Sequence, residues 1–195
     1  MRIPLFPLSS IVLPEGLLPL RLFERRYLDM VRDCFRLQSG FGVCLLQQGN
    51  EVGNAAIPYP YGTLVKIVDW DQSADGLLNV VVCGEQKFRI RDTSVEESQL
   101  LTGEIELLPW EQPASVPEEL NYLQDSMQQI LRQIESSIVY DEPKLDDALW
   151  LGSRFVELLP LPAEVKHELA SLDDAVDRLK AVAQLLTGFT LTARE

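Results

Sequence analysis

The stretch Leu17-Leu18-Pro19-Leu20-Arg21-Leu22-Phe23-Glu24-Arg25-Arg26-Tyr27-Leu28-Asp29-Met30-Val31-Arg32-Asp33-Cys34-Phe35 changes its hydrophobic period within a few residues. Leu18, Leu20 and Leu22 alternate, so 18–22 reads as a strand with one face turned inward. From about 24 to 37 the period lengthens. Tyr27, Leu28, Val31, Cys34 and Phe35 recur at three- and four-residue spacing, while Arg25, Arg26, Asp29, Arg32, Asp33 and Arg36 point elsewhere. A strand followed directly by an amphipathic helix, with one helix face packed on a sheet, is the unit around which the rest is arranged.

Outward from it, residues 1–110 are punctuated by Pro and Gly, with short runs rich in Val, Ile, Leu and Phe between them. Candidate strands are 3–8, 18–22, 41–48, 62–70, 77–83, 86–91 and 101–108. Asp75-Gly76 marks a hairpin turn, because glycine tolerates the positive φ such turns require. From Glu111 the texture changes. Residues 111–117 read as a linker and 118–195 as helical. A first long helix carries the stripe Leu120, Leu123, Met127, Ile130, Leu131, Ile134 and Ile138. A second, about 145–159, groups Leu145, Leu149, Gly152, Phe155, Val156 and Leu159 before Pro160 and Pro162 end it. A short helix at about 163–170 precedes a last one, capped by Ser171 and running to about 187 with Leu172, Val176, Leu179, Val182 and Leu186 inward. The expected fold class is α+β, with a strand-rich subdomain at 1–110 and a helical subdomain at 118–195.

The 195 residues suffice for a core without cross-links. Net charge is −13: residues 1–110 carry 10 Lys+Arg against 14 Asp+Glu, and 111–195 carry 7 against 16. Nucleic-acid binding leans on Lys and Arg neutralising phosphates, so this balance argues against it. The Pro-interrupted N-terminus is no secretory signal, and no apolar run reaches the length of a membrane span. Cys34, Cys44 and Cys83 show no Cys-x-x-Cys spacing and read as buried small hydrophobes in a reducing compartment. The expected location is cytoplasmic, without membrane contact.

Tests for chemistry come out negative. There is no Gly-Lys pair for a phosphate loop. The single histidine, His167, sits in a charged run, and Ser153 lacks the second glycine of a nucleophile elbow. Asp69–Gly76 fails the EF-hand spacing, with Ala74 and Val80 where glycine and glutamate are needed. We therefore expect no catalytic residues, no metal and no cofactor. The Arg21, Arg25, Arg26, Arg32 and Arg36 side chains, interleaved with Glu24, Asp29 and Asp33, read as an ion-paired solvated face.

Pro4-Leu5-Phe6-Pro7-Leu8, Val12-Leu13-Pro14-Glu15-Gly16, Leu18–Glu24 and Arg26-Tyr27-Leu28 with Met30 resemble the signature of the Lon protease N-terminal substrate-binding (LON) domain. Phe41-Gly42-Val43, Gly62–Ile67, Gly84–Ile90 and Leu158–Pro162 through Leu179 are similar to later motifs of that family. Tyr61 and Lys87 depart from its usual valine and arginine, and a lysine cannot reproduce a bidentate guanidinium contact. The resemblance implies a PUA-like β pseudo-barrel with one inserted helix followed by a helical bundle. With no ATPase or peptidase region after Glu195, it implies a stand-alone, non-catalytic polypeptide-binding protein, an adaptor or regulator in protein quality control. Its expected partners are unfolded or partner polypeptides, with a protease or a chaperone among the candidates. RNA binding by the PUA-like barrel and peptidase activity are the lesser alternatives. The expected polypeptide-binding residues are Leu17, Leu18, Pro19, Leu20, Phe23, Glu24, Arg26 and Tyr27, with Glu24 and Arg26 also suited to pinning the strand-to-helix corner.

Overall fold

The computed structural model describes residues 1–134, 138–140 and 142–192, which form two compact units, Met1–Trp110 and Glu111–Glu195. The first contains six strands and one helix in the order β1 (Arg2–Leu8), β2 (Leu17–Leu22), α1 (Arg25–Leu37), β3 (Phe41–Gln48), β4 (Ile57–Gln72), β5 (Leu78–Val95) and β6 (Leu101–Leu107). The strands lie in one sheet, ordered β2-β5-β4-β3-β1-β6. An additional β5–β6 pairing closes β5, β4, β3, β1 and β6 into a ring and leaves β2 as an edge. Only the β1–β3 pair is parallel among the pairs described.

The sequence pattern divides β5 in two, whereas the structure shows one strand of 18 residues. Its first half pairs with β2 (Leu17↔Cys83 to Leu22↔Leu78) and its second with β6 (Phe88↔Leu107 to Val95↔Leu101), while β4 pairs along both halves. The glycine that hides this continuity is Gly84. The turn Leu13-Pro14-Glu15-Gly16 closes through Gly16 N–H to Leu13 O at 2.9 Å, with Glu15 at φ 63°. Glu15 N–H then donates to Gly84 O, and Gly84 N–H to Gly16 O, both at 2.8 Å, so two residues of one strand oppose a single residue of the other in a bulge. A Cβ on Gly84 would stand 2.1 Å from Leu13 O, so only glycine permits this approach. The Asp75-Gly76 turn joins β4 to β5, with Gly76 at φ 85°.

α1 lays Tyr27, Met30, Val31 and Cys34 against Phe6, Leu20, Leu22, Phe41, Val43, Val65, Val80 and Val82, and Tyr27 stacks on Phe6 with ring centroids 3.9 Å apart. Phe35, expected inward, is exposed. A second cluster gathers Ile3, Leu5, Cys44, Leu101 and Ile105 around Phe88. The Phe88 ring fits because a Cβ on Gly62 would come within 2.6 Å of it. Cys34 and Cys44 are buried, and burial pushes both thiols up, whereas Cys83 is half-buried.

The second unit holds a 3-10 turn (Glu118–Leu120) and helices α2 (Tyr122–Gln133), α3 (Ala148–Leu158), α4 (Ala163–Ser171) and α5 (Ala175–Thr192). α2 is shorter than its apolar stripe. Ile134 is already extended and Ile138 lies in non-helical backbone, while the part of the stripe across 135–137 falls outside the described residues. The last helix also starts later than the sequence suggests. Asp174 caps it, its Oδ1 accepting from Val176 and Asp177 N–H at 2.9 Å, while Ser171 Oγ donates back to Glu168 O.

α3 is buried nearly all round and packs on α2, α4 and α5. It carries Arg154 fully buried, paired to Glu157 and flanked by the Tyr140 and Trp150 rings at 5.6 and 5.5 Å. Arg178 of α5 is likewise fully buried. It grips Glu111 through two bonds of 2.9 and 2.6 Å and donates to Leu169 O, Leu172 O and Ser153 Oγ. The run read as a linker is tied down: Ala148 N–H donates to Ala114 O at 2.7 Å and Val116 N–H to Asp146 O at 3.1 Å.

Candidate functional site

The bulge at Glu15–Gly16 releases the chain into β2 along the sheet edge, and the corner Phe23-Glu24 turns it directly into α1. Between that edge, the last residues of β1 and the 51–52 segment lies a cleft of about 240 Å³. Phe6, Leu8, Leu18, Leu20, Leu22 and Tyr27 supply its apolar surface. Ser9, Ser10, Arg21, Glu24 and Glu51 supply polar groups, and Pro19, Phe23 and Val52 complete the lining. Pro19 and Phe23 are exposed, the latter at 55%, and Val52 at 54%. Exposed aromatic and aliphatic carbon thus stands beside buried apolar side chains and a polar rim.

The floor is tied to its surroundings by identifiable contacts. Arg26 is buried, contrary to the solvated role its charge suggests, and its Cζ lies 4.5 Å from the Tyr27 ring centroid. Its Nη1 donates to Gln99 O at 2.8 Å and its Nη2 to Glu24 Oε1 and Glu51 O, each at 3.3 Å. Glu24 Oε2 also accepts from Gly53 N–H at 3.2 Å, and the Glu51 carboxylate accepts from the backbone N–H and hydroxyl of Ser9. One guanidinium and two carboxylates thus tie the strand-to-helix corner, the loop after β3 and the turn before β6 together. Burial raises the Tyr27 phenol to about 12, so it stays neutral at any physiological pH.

Of the residues expected to bind polypeptide, Leu18, Pro19, Leu20, Phe23, Glu24 and Tyr27 are brought together in this cleft. Leu17 is half-buried on β2 outside the lining, and Arg26 lies behind the wall as a support. Leu20 and Tyr27 offer little surface of their own, at 8% and 5% exposure. Sequence reasoning missed Phe6, Leu8, Glu51 and Val52. The β1 residues look like ordinary core, and the one local sign of the loop is an isolated valine in the polar run Gln47–Asn54.

The Arg25, Arg32 and Arg36 side chains of α1 pair with Asp29 and Asp33, and Arg21 with Asp75, so the rest of the basic group is the ion-paired face its spacing indicates. Ser153 is buried against Arg178, a packing role with no nucleophile at a surface. Burial lowers the His167 imidazole below its usual range, with Glu168 opposing. Among the described residues no group of three or more His, Cys, Asp or Glu side chains could hold a metal ion, and no helix is long and apolar enough to cross a membrane.

Residues 2–188 match the family model of the ATP-dependent protease La (LON) substrate-binding domain. Over 94% of its length the chain is 23% identical to Lon protease of Anaeromyxobacter dehalogenans, and over 94% likewise 23% identical to Lon protease 2 of Myxococcus xanthus. It spans 23% of the length of each of these relatives. Among solved structures, a Lon N-terminal domain protein from Xanthomonas campestris is 37% identical with a TM-score of 0.75, the match covering 96% of this chain and 98% of that one. The N-terminal domain of the Mycobacterium avium complex Lon protease, 18% identical with a TM-score of 0.59 over 94% of this chain and 97% of its own, shares the fold.

Proposed function

Since the chain belongs to the LON substrate-binding domain family, we propose that it is a non-catalytic module that binds polypeptides through the cleft between β2, the end of β1 and the α1 corner. The observation that carries this reading is the juxtaposition of exposed Phe23, Pro19 and Val52 with an apolar floor held in place by the Arg26 network. Such a surface takes apolar segments that folded proteins hide and unfolded ones display, which suits an adaptor or regulator in protein quality control, acting beside a protease or a chaperone in the cytoplasm. In this reading residues 1–110 are a PUA-like pseudo-barrel that carries the binding surface, 111–117 connect it, and 118–195 are a supporting helical bundle.

The test is fluorescence anisotropy with a labelled, permanently unfolded model polypeptide, using wild type and the variants Phe23→Asp and Pro19→Asp, each checked for folding by circular dichroism. Saturable binding, weakened by about fivefold to tenfold in either variant, is expected, in keeping with the loss of an exposed anchor. Absence of binding at every attainable concentration would remove client recruitment as the function.

A further inference from the structure

We propose that the cleft selects polypeptide segments in which a lysine stands beside the apolar anchor and pairs its ammonium with Glu51. This rests on the polypeptide-binding reading above and specifies which segments that binding prefers. The charges that line the cleft and the residue next to Glu51 lead to it.

The charged side chains of the lining are Arg21, Glu24 and Glu51. Arg21 is paired with Asp75 at the turn between β4 and β5, so its charge is already met. Glu24 is met from behind by Arg26, whose Nη2 lies 3.2 Å from Glu24 Oε2, and the same oxygen accepts from Gly53 N–H. Glu51 differs. Arg26 bonds it only at the backbone oxygen, and its carboxylate is held through Oε1 by the N–H and hydroxyl of Ser9, two neutral donors. Among the described residues no Lys or Arg side chain pairs with that carboxylate. The cleft thus carries one negative charge that the fold fixes in place without neutralising, in a chain whose net charge is −13. A carboxylate set against apolar side chains is less well hydrated than one in open water, and it gains more from a cation.

The way Glu51 is held decides which cation. Oε1 already accepts two bonds, which occupies its lone pairs, so Oε2 is the open oxygen and a guanidinium cannot bind in its two-pronged manner. An ammonium is a compact charge that needs one oxygen. Val52, the next residue, is 54% exposed in the same lining. The apolar stem of a lysine can lie on Val52 while its ammonium reaches Glu51, so one side chain uses both the carbon and the charge. At about 240 Å³ the cleft is smaller than the sites that take drug-sized ligands. It has room for a single large apolar side chain, and the lysine therefore belongs directly beside that anchor.

Fluorescence anisotropy on the full chain tests this with labelled, end-capped peptides of about eight residues that share a phenylalanine anchor in a serine and glycine background. Three carry lysine, glutamine or glutamate next to the anchor. A fourth carries glutamine there and lysine at the far end, so that its net charge equals that of the lysine peptide. Wild type should bind the lysine peptide about fivefold tighter than the glutamine peptide and the fourth peptide, and the glutamate peptide more weakly than any of them. Glu51→Gln, which keeps an oxygen for Ser9, should bring the ratio between the lysine and glutamine peptides below about twofold. Asp92→Asn removes an equal charge from an exposed position on β5 and should leave that ratio as it is. Circular dichroism checks that both variants are folded. If the lysine and glutamine peptides bind alike, if the fourth peptide binds as tightly as the lysine peptide, or if the ratio survives Glu51→Gln, the lysine pairing is wrong and apolar capture at the cleft stands. If no short peptide binds while the unfolded polypeptide does, the pairing is wrong as well, because a segment of this length should fill the cleft. If the unfolded polypeptide does not bind either, both readings fall together.

Discussion

Tyr27 and Gly84 show how single residues shape the cleft. The Tyr27 hydroxyl keeps its proton to about pH 12 in the folded protein but loses it near 10 when the chain unfolds. Between those values the unfolded state binds fewer protons than the folded one, so stability falls as pH rises and is fully present below about 10. Urea melts at stepped alkaline pH should show a decline that Tyr27→Phe removes in part; an identical decline in both proteins would mean other groups cause it. Gly84→Ala should lose about 2–3 kcal/mol, because its Cβ would meet a backbone oxygen that can move only if the bulge opens. Denaturant unfolding measures this, and a loss below about 0.5 kcal/mol would show that the loop before β2 yields easily.

Among the elements, α5 is fixed by chemistry that its apolar stripe does not reveal. Arg178 satisfies carbonyls at the end of α4, the hydroxyl of Ser153 on α3 and the carboxylate of Glu111, all without exposure to water. Arg178→Met strands Glu111 and those carbonyls and should lower stability by about 3–5 kcal/mol, measured by denaturant melts. A double variant Arg178→Met with Glu111→Gln that recovers part of the loss would assign that part to the stranded charge.

The same elements show where sequence reading succeeds and where it stops. The alternation of Leu18, Leu20 and Leu22 and the helical spacing after Glu24 place β2 and α1 to within a residue, because one face of each is buried and the other is not. Periodicity cannot see the joining of 77–83 to 86–91, since of the two residues between them Gly84 carries no side chain and Glu85 is charged, so neither continues the apolar pattern. Nor can it end α2, whose apolar stripe runs on after the helix has stopped at Gln133. Six of the eight proposed binding residues meet in one cleft because they are neighbours in the chain. Glu51, which holds Ser9 across the cleft rim, is distant in sequence, and only tertiary structure brings it there.

For the whole molecule, net charge −13 and a cleft whose charged lining is Arg21 against Glu24 and Glu51 predict how binding responds to salt. Apolar contact releases few counterions, so the affinity for a net-neutral unfolded polypeptide should change by less than about threefold between 50 and 200 mM salt, whereas nucleic-acid binding would fall by orders of magnitude. Anisotropy titrations at the two concentrations decide, and a steep loss would point to a polyanionic ligand.

The parallel pairing of β1 with β3 and its antiparallel pairing with β6 set a timetable for synthesis. β1 leaves the ribosome first, yet Arg2–Leu5 find their second partner only when Leu101–Glu104 appear. At about 5–20 residues per second the nascent chain therefore waits on the order of 5–20 s with an apolar strand unclosed. A protein whose own sheet stays open that long shares, while it is being made, the exposed condition of the chains it is proposed to bind.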